Sequence, residues 1–317
     1  MTDYLPEGSR IETSANKNAL QSAAALQEAY RSGTILEARA TVCSAEHDLI
    51  FDLGGVRGVI PRTEGALGIE NGETRDIAII SRVNKPVCFR ITGFSHDQSG
   101  RLTALCSRRA VQEECTARYL NTLRPGDVIP AVVTHLETFG CFADIGCGIS
   151  SLLPIDNISV SRIHHPSDRF HPGQAIRVIV SGRDSAGRLS LTHKELLGTW
   201  EENAAEFEPG ETVAGIIRSV EEYGVFVELT PNLAGLAEPS PDLHPGQQAS
   251  VYIKSLIPEK MKIKLILVDA FDGEIVPPPL HYYFEGNHLD TWQYSPALCP
   301  KQIATQFSRE GSAPSLP

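Results

Sequence analysis

Residues 125 to 154 read PGDVIPAVVTHLETFGCFADIGCGISSLLP, and residues 209 to 238 read PGETVAGIIRSVEEYGVFVELTPNLAGLAE. Proline-glycine opens each, alternating Val and Ile follow, and then comes an aromatic-glycine pair, Phe139-Gly140 or Tyr223-Gly224. A second aromatic, Phe142 or Phe226, and an acid, Asp144 or Glu228, complete the match at a constant offset of 84 residues, 209 less 125. Each stretch is followed by HPGQ, at His171 and again at His244, then by a Val- and Ile-rich run and a hairpin-like turn. Self-similarity at such a period marks a chain built from repeated units.

A weaker copy lies upstream. GTILEARATV starts at Gly33, FDLGGVRGVIP runs from 51 to 61, and RLTAL at Arg101 matches RLSLT at Arg188. In the middle copy, period-two alternation between Gly- and Pro-marked turns predicts five strands over about 128–136, 139–146, 150–153, 175–182 and 187–192. Five strands in so short a unit suggest a small closed barrel of the OB type, which removes exposed sheet edges, with a five-strand sandwich fragment as the alternative. The polar insert DNISVSRIHHPSDRFHPG shortens in the third copy to PSPDLHPG, as an outward-growing surface loop would. Helical patterns over 16–31, 108–121 and 194–206 precede the successive barrels.

The expected class is therefore mainly β, with three tandem five-stranded OB-type barrels joined by short helices behind an N-terminal helix. The expected divisions are a helical segment over 1–32, a degenerate barrel over 33–115, a barrel over 123–198, an acidic barrel over 208–272 and an aromatic-rich segment over 273–317. In that last segment Tyr282, Tyr283, Phe284, Trp292 and Tyr294 either dock on the third barrel or form a surface for a protein partner.

The chain has 317 residues, with 28 Lys and Arg against 39 Asp and Glu, a net charge of -11. That balance argues against coating duplex DNA by bulk attraction, but leaves room for local binding, because salt screens charges beyond about 10 Å. No apolar run is long enough to span a bilayer and the opening MTDYLPEGSR lacks signal-peptide character, so a cytoplasmic protein with no membrane contact is expected. Seven cysteines, without a CxxC pair, read as reduced residues, Cys141 and Cys147 as small buried thiols.

Two aromatics three apart cannot both follow strand alternation on one face unless the backbone bends at Gly140 or Gly224. With a bend both rings face outward, where flat rings stack on nucleobases at about 1 to 3 kcal/mol each and a nearby Arg reaches a phosphate. Phe139, Phe142 and Arg188 form that set in the middle copy; the other reading places one or both Phe in the barrel core. The first copy has Asp48 and Ile50 where the middle has Gly140 and Phe142, and so lacks the platform. The third keeps Tyr223 and Phe226 but has 12 acidic against five basic residues over 201–270, whereas the middle has seven of each over 121–200. The middle copy is thus the expected polyanion contact, and the third binds weakly or binds protein instead.

These motifs resemble the S1 RNA-binding domain, and the tandem copies over residues 33–270 resemble the bacterial ribosomal protein S1 family. The resemblance implies OB-type barrels that bind single-stranded RNA and, in ribosomal members, help bring messenger RNA to the 30S subunit. It also implies an RNA-facing set of two aromatics, a histidine, an Asp and an Arg. In the middle copy these positions fall on Phe139, Phe142, Pro154 in place of histidine, Asp184 and Arg188. In the third they fall on Tyr223, Phe226, Glu238, Pro258 and Lys262, and the first keeps Asp97 and Arg101, with Pro61 at the histidine position. No copy has the full set, so binding through linked weak sites is the expected mode.

No Walker loop, HExxH, GxSxG or GxGxxG is present, so a non-catalytic protein without cofactor or metal is expected. The histidines of the insert, His164, His165 and His171, read as solvated loop residues. The rival to RNA binding is a protein-interaction scaffold in a ribosomal or RNA-processing assembly.

Overall fold

The computed structural model describes residues 3–96, 100–273 and 279–307. These fall into two compact units, one within residues 1–123, 130–132 and 144–150, the other within 124–129, 133–143 and 151–317.

The Ala-rich stretch expected as one helix is two, α1 (Ser14–Leu20) and α2 (Ala23–Ser32). Ser22 divides them: its backbone is extended and its side chain accepts from the N–H of Ala25, capping α2, which Gly33 ends with φ at +63°. The first copy then runs through β1 (Leu36–Arg39), β2 (Val42–Cys43), β3 (Leu49–Leu53), β4 (Val56–Ile60), α3 (Ile77–Ile80), β5 (Pro86–His96) and β6 (Leu102–Ser107), ahead of α4 (Arg109–Arg118). Its strands form a six-stranded sheet in the order β1-β5-β6-β4-β3-β2, in place of the expected closed five-stranded barrel. The difference lies at Ala40 and Thr41. The first strand is interrupted there, and its halves, β1 and β2, pair at opposite ends of the sheet with β5 and β3.

The middle copy comprises β7 (Val128–Glu137), β8 (Gly140–Asp144), β9 (Ser150–Pro154), β10 (Ala175–Arg183) and β11 (Leu189–Thr192), closed as β10-β11-β9-β8-β7. All five lie within three residues of the bounds read from alternation. A short helix, α5 (Trp200–Ala204), begins at a capping box in which Thr199 and Glu202 satisfy each other's backbone N–H. The third copy comprises β12 (Thr212–Glu221), β13 (Gly224–Thr230), β14 (Leu233–Ala237), β15 (Gln248–Ile257) and β16 (Lys262–Phe271), closed in the same cyclic order.

The polar insert after β9 is not an outward loop. Phe170 and Arg169 are buried, the N–H of Ser161 donates to Pro231 O, and the N–H of Val160 donates to Asn232 Oδ1, so the insert packs on the third barrel. Apolar and charge-paired residues within a polar run produce this. Val160 and Arg169 find partners on the third barrel, whereas Phe170 packs edge-to-face on His193.

Within the second unit, the C-terminal segment straps strands of the middle barrel and the third barrel. Tyr282 and Phe284 join Ile179, Leu196 and Phe307 against the middle barrel, while Trp292 and Tyr294 enter the core of the third. Arg177 donates to the carbonyls of Phe284, Glu285 and Gly286, and its guanidinium lies 5.7 Å from the Tyr282 ring centre. β17 (Thr291–Gln293) and β18 (Ala304–Gln306) pair as a small hairpin. The rings proposed as a partner surface are thus largely spent on packing, on two barrels and not on the third alone.

Candidate nucleic-acid interface

The aromatic pair sits where a strand turns on a glycine. A Cβ at Gly140 would lie 2.4 Å from Leu153 O, and one at Gly224 would lie 2.6 Å from Ala237 O. Only glycine permits that approach. It holds the start of β8 or β13 tight against the next strand and turns the preceding ring outward. Phe139 is 54% exposed and Tyr223 67%, with Phe142 and Phe226 half-buried beside them.

Both pairs adopt one geometry. The Phe139 and Phe142 rings have centres 6.2 Å apart and planes at 87°, and Tyr223 and Phe226 have centres 6.1 Å apart at 87°. An edge-to-face pair of this kind is mutually supporting and leaves one open face for stacking. The alternative that placed one or both Phe in the core does not fit the middle barrel, where Phe139 is exposed and Phe142 half-buried.

Asp184 shapes the turn between β10 and β11. Its Oδ1 accepts from the N–H groups of Ala186 and Arg188, each at 2.9 Å, and its Oδ2 accepts from Arg188 Nε at 2.8 Å. The backbone bond from Arg188, then its guanidinium, hold the Asp184 carboxyl below its ordinary range. Arg188 itself stays exposed. In the third barrel Pro258 replaces the Asp, and Lys262 begins β16, exposed.

The first copy lacks this platform. His47 stands at the Phe139 position with φ at +67° and its Nδ1 3.4 Å from Asp76 Oδ2. The ladder places Val42, Ile50, Val59 and Leu105 in one row across β2, β3, β4 and β6, an aliphatic strip where the other barrels carry Phe142 or Phe226. Arg101 is exposed but lies four residues before Leu105, whereas Arg188 lies two before Ser190, which pairs with Leu152 in the corresponding place. The match of RLTAL to RLSLT therefore overstates their equivalence. Asp97 lies outside the described residues.

Sequence reading missed Lys264. It pairs with Leu236, which pairs with Phe226, so the lysine shares the row of the third barrel's inner aromatic. The signal was present in KIKLIL: Lys262, Lys264 and Ile266 alternate outward while Ile263 and Leu265 are buried.

Closed five-stranded barrels with an outward aromatic pair at the glycine bend define the class, an S1-type OB barrel protein. Residues 122–194 match the S1 RNA binding domain family. Over that stretch the chain matches an S1 domain, and beyond it the chain is similar to the bacterial ribosomal protein S1 family: small ribosomal subunit protein bS1 of Rhizobium meliloti is 29% identical over 240 residues, covering 70% of this chain and 40% of that protein. The small ribosomal subunit protein bS1 homolog of Bacillus cereus is 28% identical over 288 residues, covering 85% of this chain and 72% of the relative. The chain thus spans well under two thirds of the Rhizobium protein. A solved multidomain protein with nucleic acid binding domains from Streptococcus pneumoniae aligns over 75% of this chain and 74% of its own, at 14% identity and a TM-score of 0.25. Among the described residues no helix is long and apolar enough to cross a membrane, and no cluster of His, Cys, Asp and Glu could hold a metal ion.

Proposed function

We propose that this protein binds single-stranded RNA, without catalysis, and acts in translation at the small ribosomal subunit, in the cytoplasm. The observation that carries the reading is the exposed Phe139 ring braced at right angles by Phe142, repeated by Tyr223 and Phe226. Unpaired bases stack on such rings with little sequence preference, and duplexes, whose bases are already stacked, do not. Arg188, oriented by Asp184, reaches a phosphate or a base edge from the neighbouring strand, and Lys262 takes that role in the third barrel. The first copy is read as a third S1-type unit in which Arg101 alone remains of the set within the described residues, so it contributes little to RNA affinity. Linked weak sites on one strand reinforce one another through raised effective concentration.

The scaffold reading loses support because Trp292 and Tyr294 are buried within the protein. The test is capture of a single-stranded oligoribonucleotide by the full chain and by Phe139→Ala/Phe142→Ala/Arg188→Ala. Loss of at least tenfold in affinity, with duplex DNA bound poorly by both proteins, is the expected result. Undiminished capture by the triple variant would remove the middle barrel from the reading.

A further inference from the structure

Over residues 201–270 the third barrel has 12 acids and five bases, and on that balance a phosphate chain should avoid it. The cations, however, are not spread evenly. Arg218 is buried, its Nε 2.9 Å from Glu228 Oε2 and its Nη1 3.4 Å from Asp168 Oδ2. The other four, Lys254, Lys260, Lys262 and Lys264, are all exposed on one hairpin formed by β15, β16 and the single turn Pro258–Lys260 between them. Glu259 is the one acid between Lys254 and Lys264. Among the described residues none of the four lysines makes an ion pair or a side-chain hydrogen bond.

The ladder fixes where this strip lies. Lys264, Leu236 and Phe226 share a row, and with strands about 4.8 Å apart the Cα atoms of Lys264 and Phe226 stand about 10 Å from each other. Alternation keeps Lys262 on the same side. On β15, Tyr252 faces outward opposite Ile266, two residues before Lys254.

In the middle barrel, balanced in formal charge, the cations are largely occupied. Arg169 is buried against Glu228, Arg177 is held by the carbonyls of the C-terminal strap, and Arg188 is paired with Asp184. Lys194 donates to Asp156 O and Asn157 Oδ1. Arg124 and Arg162 are exposed, and Arg188 keeps its outer guanidinium nitrogens free of Asp184, so net charge alone does not rank the two barrels for phosphate. What matters is cations with no partner close to the stacking rings, since charges beyond about 8 Å are screened at physiological salt.

We propose that the lysines of the β15–β16 hairpin form a phosphate-binding track, which takes the backbone of the RNA strand whose bases lie on Tyr223 and Phe226. The proposal rests on the RNA reading above and adds Lys254, Lys260 and Lys264 to it. Exposed lysines of this kind bind by releasing counterions, so their contribution appears in the salt dependence. Stacking on the middle barrel does not depend on salt in that way.

The test measures binding of a fluorescein-labelled 20-nucleotide oligouridylate to the full chain across a salt series. Lys254→Gln/Lys260→Gln/Lys264→Gln should weaken binding by at least fivefold at low salt and reduce the slope of log affinity against log salt by about 2, since each single-strand phosphate contact contributes about 0.7. Phe139→Ala/Phe142→Ala should weaken binding with little change in slope. If the lysine variant keeps the parent's affinity and slope while the aromatic variant loses affinity, the track is wrong and the RNA reading stands. If the parent chain fails to bind the oligouridylate at all, both are wrong.

Discussion

Arg169, in the long insert of the middle barrel, places its Nη2 2.5 Å from Glu228 Oε2 on β13 of the third, with both side chains almost fully buried. Arg218 holds the same carboxylate from β12, through Nε at 2.9 Å and Nη2 at 3.1 Å. Glu228 is the acid that closes the repeated motif, and the same repeat position in the middle copy is Asp144. That carboxylate, within the first unit, accepts from the N–H of Glu7 at 2.7 Å and from those of Gly146 and Gly148 at 2.8 and 3.0 Å. In the first copy the equivalent Asp52 is exposed and accepts from Gly55. Two copies thus use one motif position to fasten the chain that precedes them.

Removing one partner from a buried ion network leaves a charge without compensation, at a cost of about 3 to 5 kcal/mol. Arg169→Ala should lower the urea midpoint of the second unit accordingly, followed by tryptophan fluorescence from Trp200 and Trp292. Arg169→Met should cost less than Arg169→Ala, because it fills the vacated volume while Arg218 stays paired with Glu228. An unchanged midpoint in Arg169→Ala would show that the pair does not hold the insert in place.

Stability should respond to pH in opposite directions in the two units. In the first, burial and the neighbouring Glu7 charge push the Asp144 carboxyl up to about 7, whereas Arg108 and Arg82 hold Glu7 low. A raised carboxyl binds its proton more tightly folded than unfolded, so its contribution is complete below the unfolded value and disappears as pH rises through about 7. In the second unit, burial lowers His193 to about 4. Its contribution is present above the unfolded value near 6.5 and is lost as pH falls towards about 4. Hydrogen exchange resolved by peptide should show the first unit loosening around Asp144 as pH rises from about 4 to about 7, and the second as pH falls from about 6.5 to about 4. Asp144→Asn should flatten the first profile alone.

Gly140→Ala and Gly224→Ala each drive a methyl group into a carbonyl oxygen of the next strand. Overpacking of this kind costs about 1 to 3 kcal/mol and displaces the adjacent ring. RNA affinity should fall in both variants by more than in Gly182→Ala, where a Cβ meets no neighbour within 4 Å. Equal effects at the three glycines would mean that close strand approach does not govern ring display.

Trp292→Ala should release the C-terminal strap. Truncating a buried Trp costs about 3 to 5 kcal/mol, far more than the lone hydrogen bond to Asn232 O lost in Tyr294→Phe, at about 1 kcal/mol. Limited proteolysis should then cut the Ala variant within the strap at concentrations that leave the parent intact. Comparable resistance would place the strap's anchor elsewhere, in Tyr282 and Arg177.

The strands of the middle copy were readable because alternation is local: Val128, Pro130 and Val132 differ in environment from Ile129, Ala131 and Val133, which are buried in turn. The aromatic pairs were readable for a related reason, since the glycine that separates them has few other uses in a strand. What could not be read were features that depend on a second segment. Gln21-Ser22 breaks a helix that composition favours, because Ser22 caps the next helix. Arg169 looks like a loop residue until Glu228 stands opposite, and Phe170 until His193 does.

Repetition, barrel class and the outward rings follow from the order of residues along the chain, because strand period and turn chemistry act between near neighbours. The open sheet of the first copy, the insert clasped to the third barrel, the strap across two barrels and the gathering of four exposed lysines on one hairpin were decided by folding. Each depends on which distant charges and apolar groups meet, and composition counts a buried Arg218 the same as an exposed Lys264.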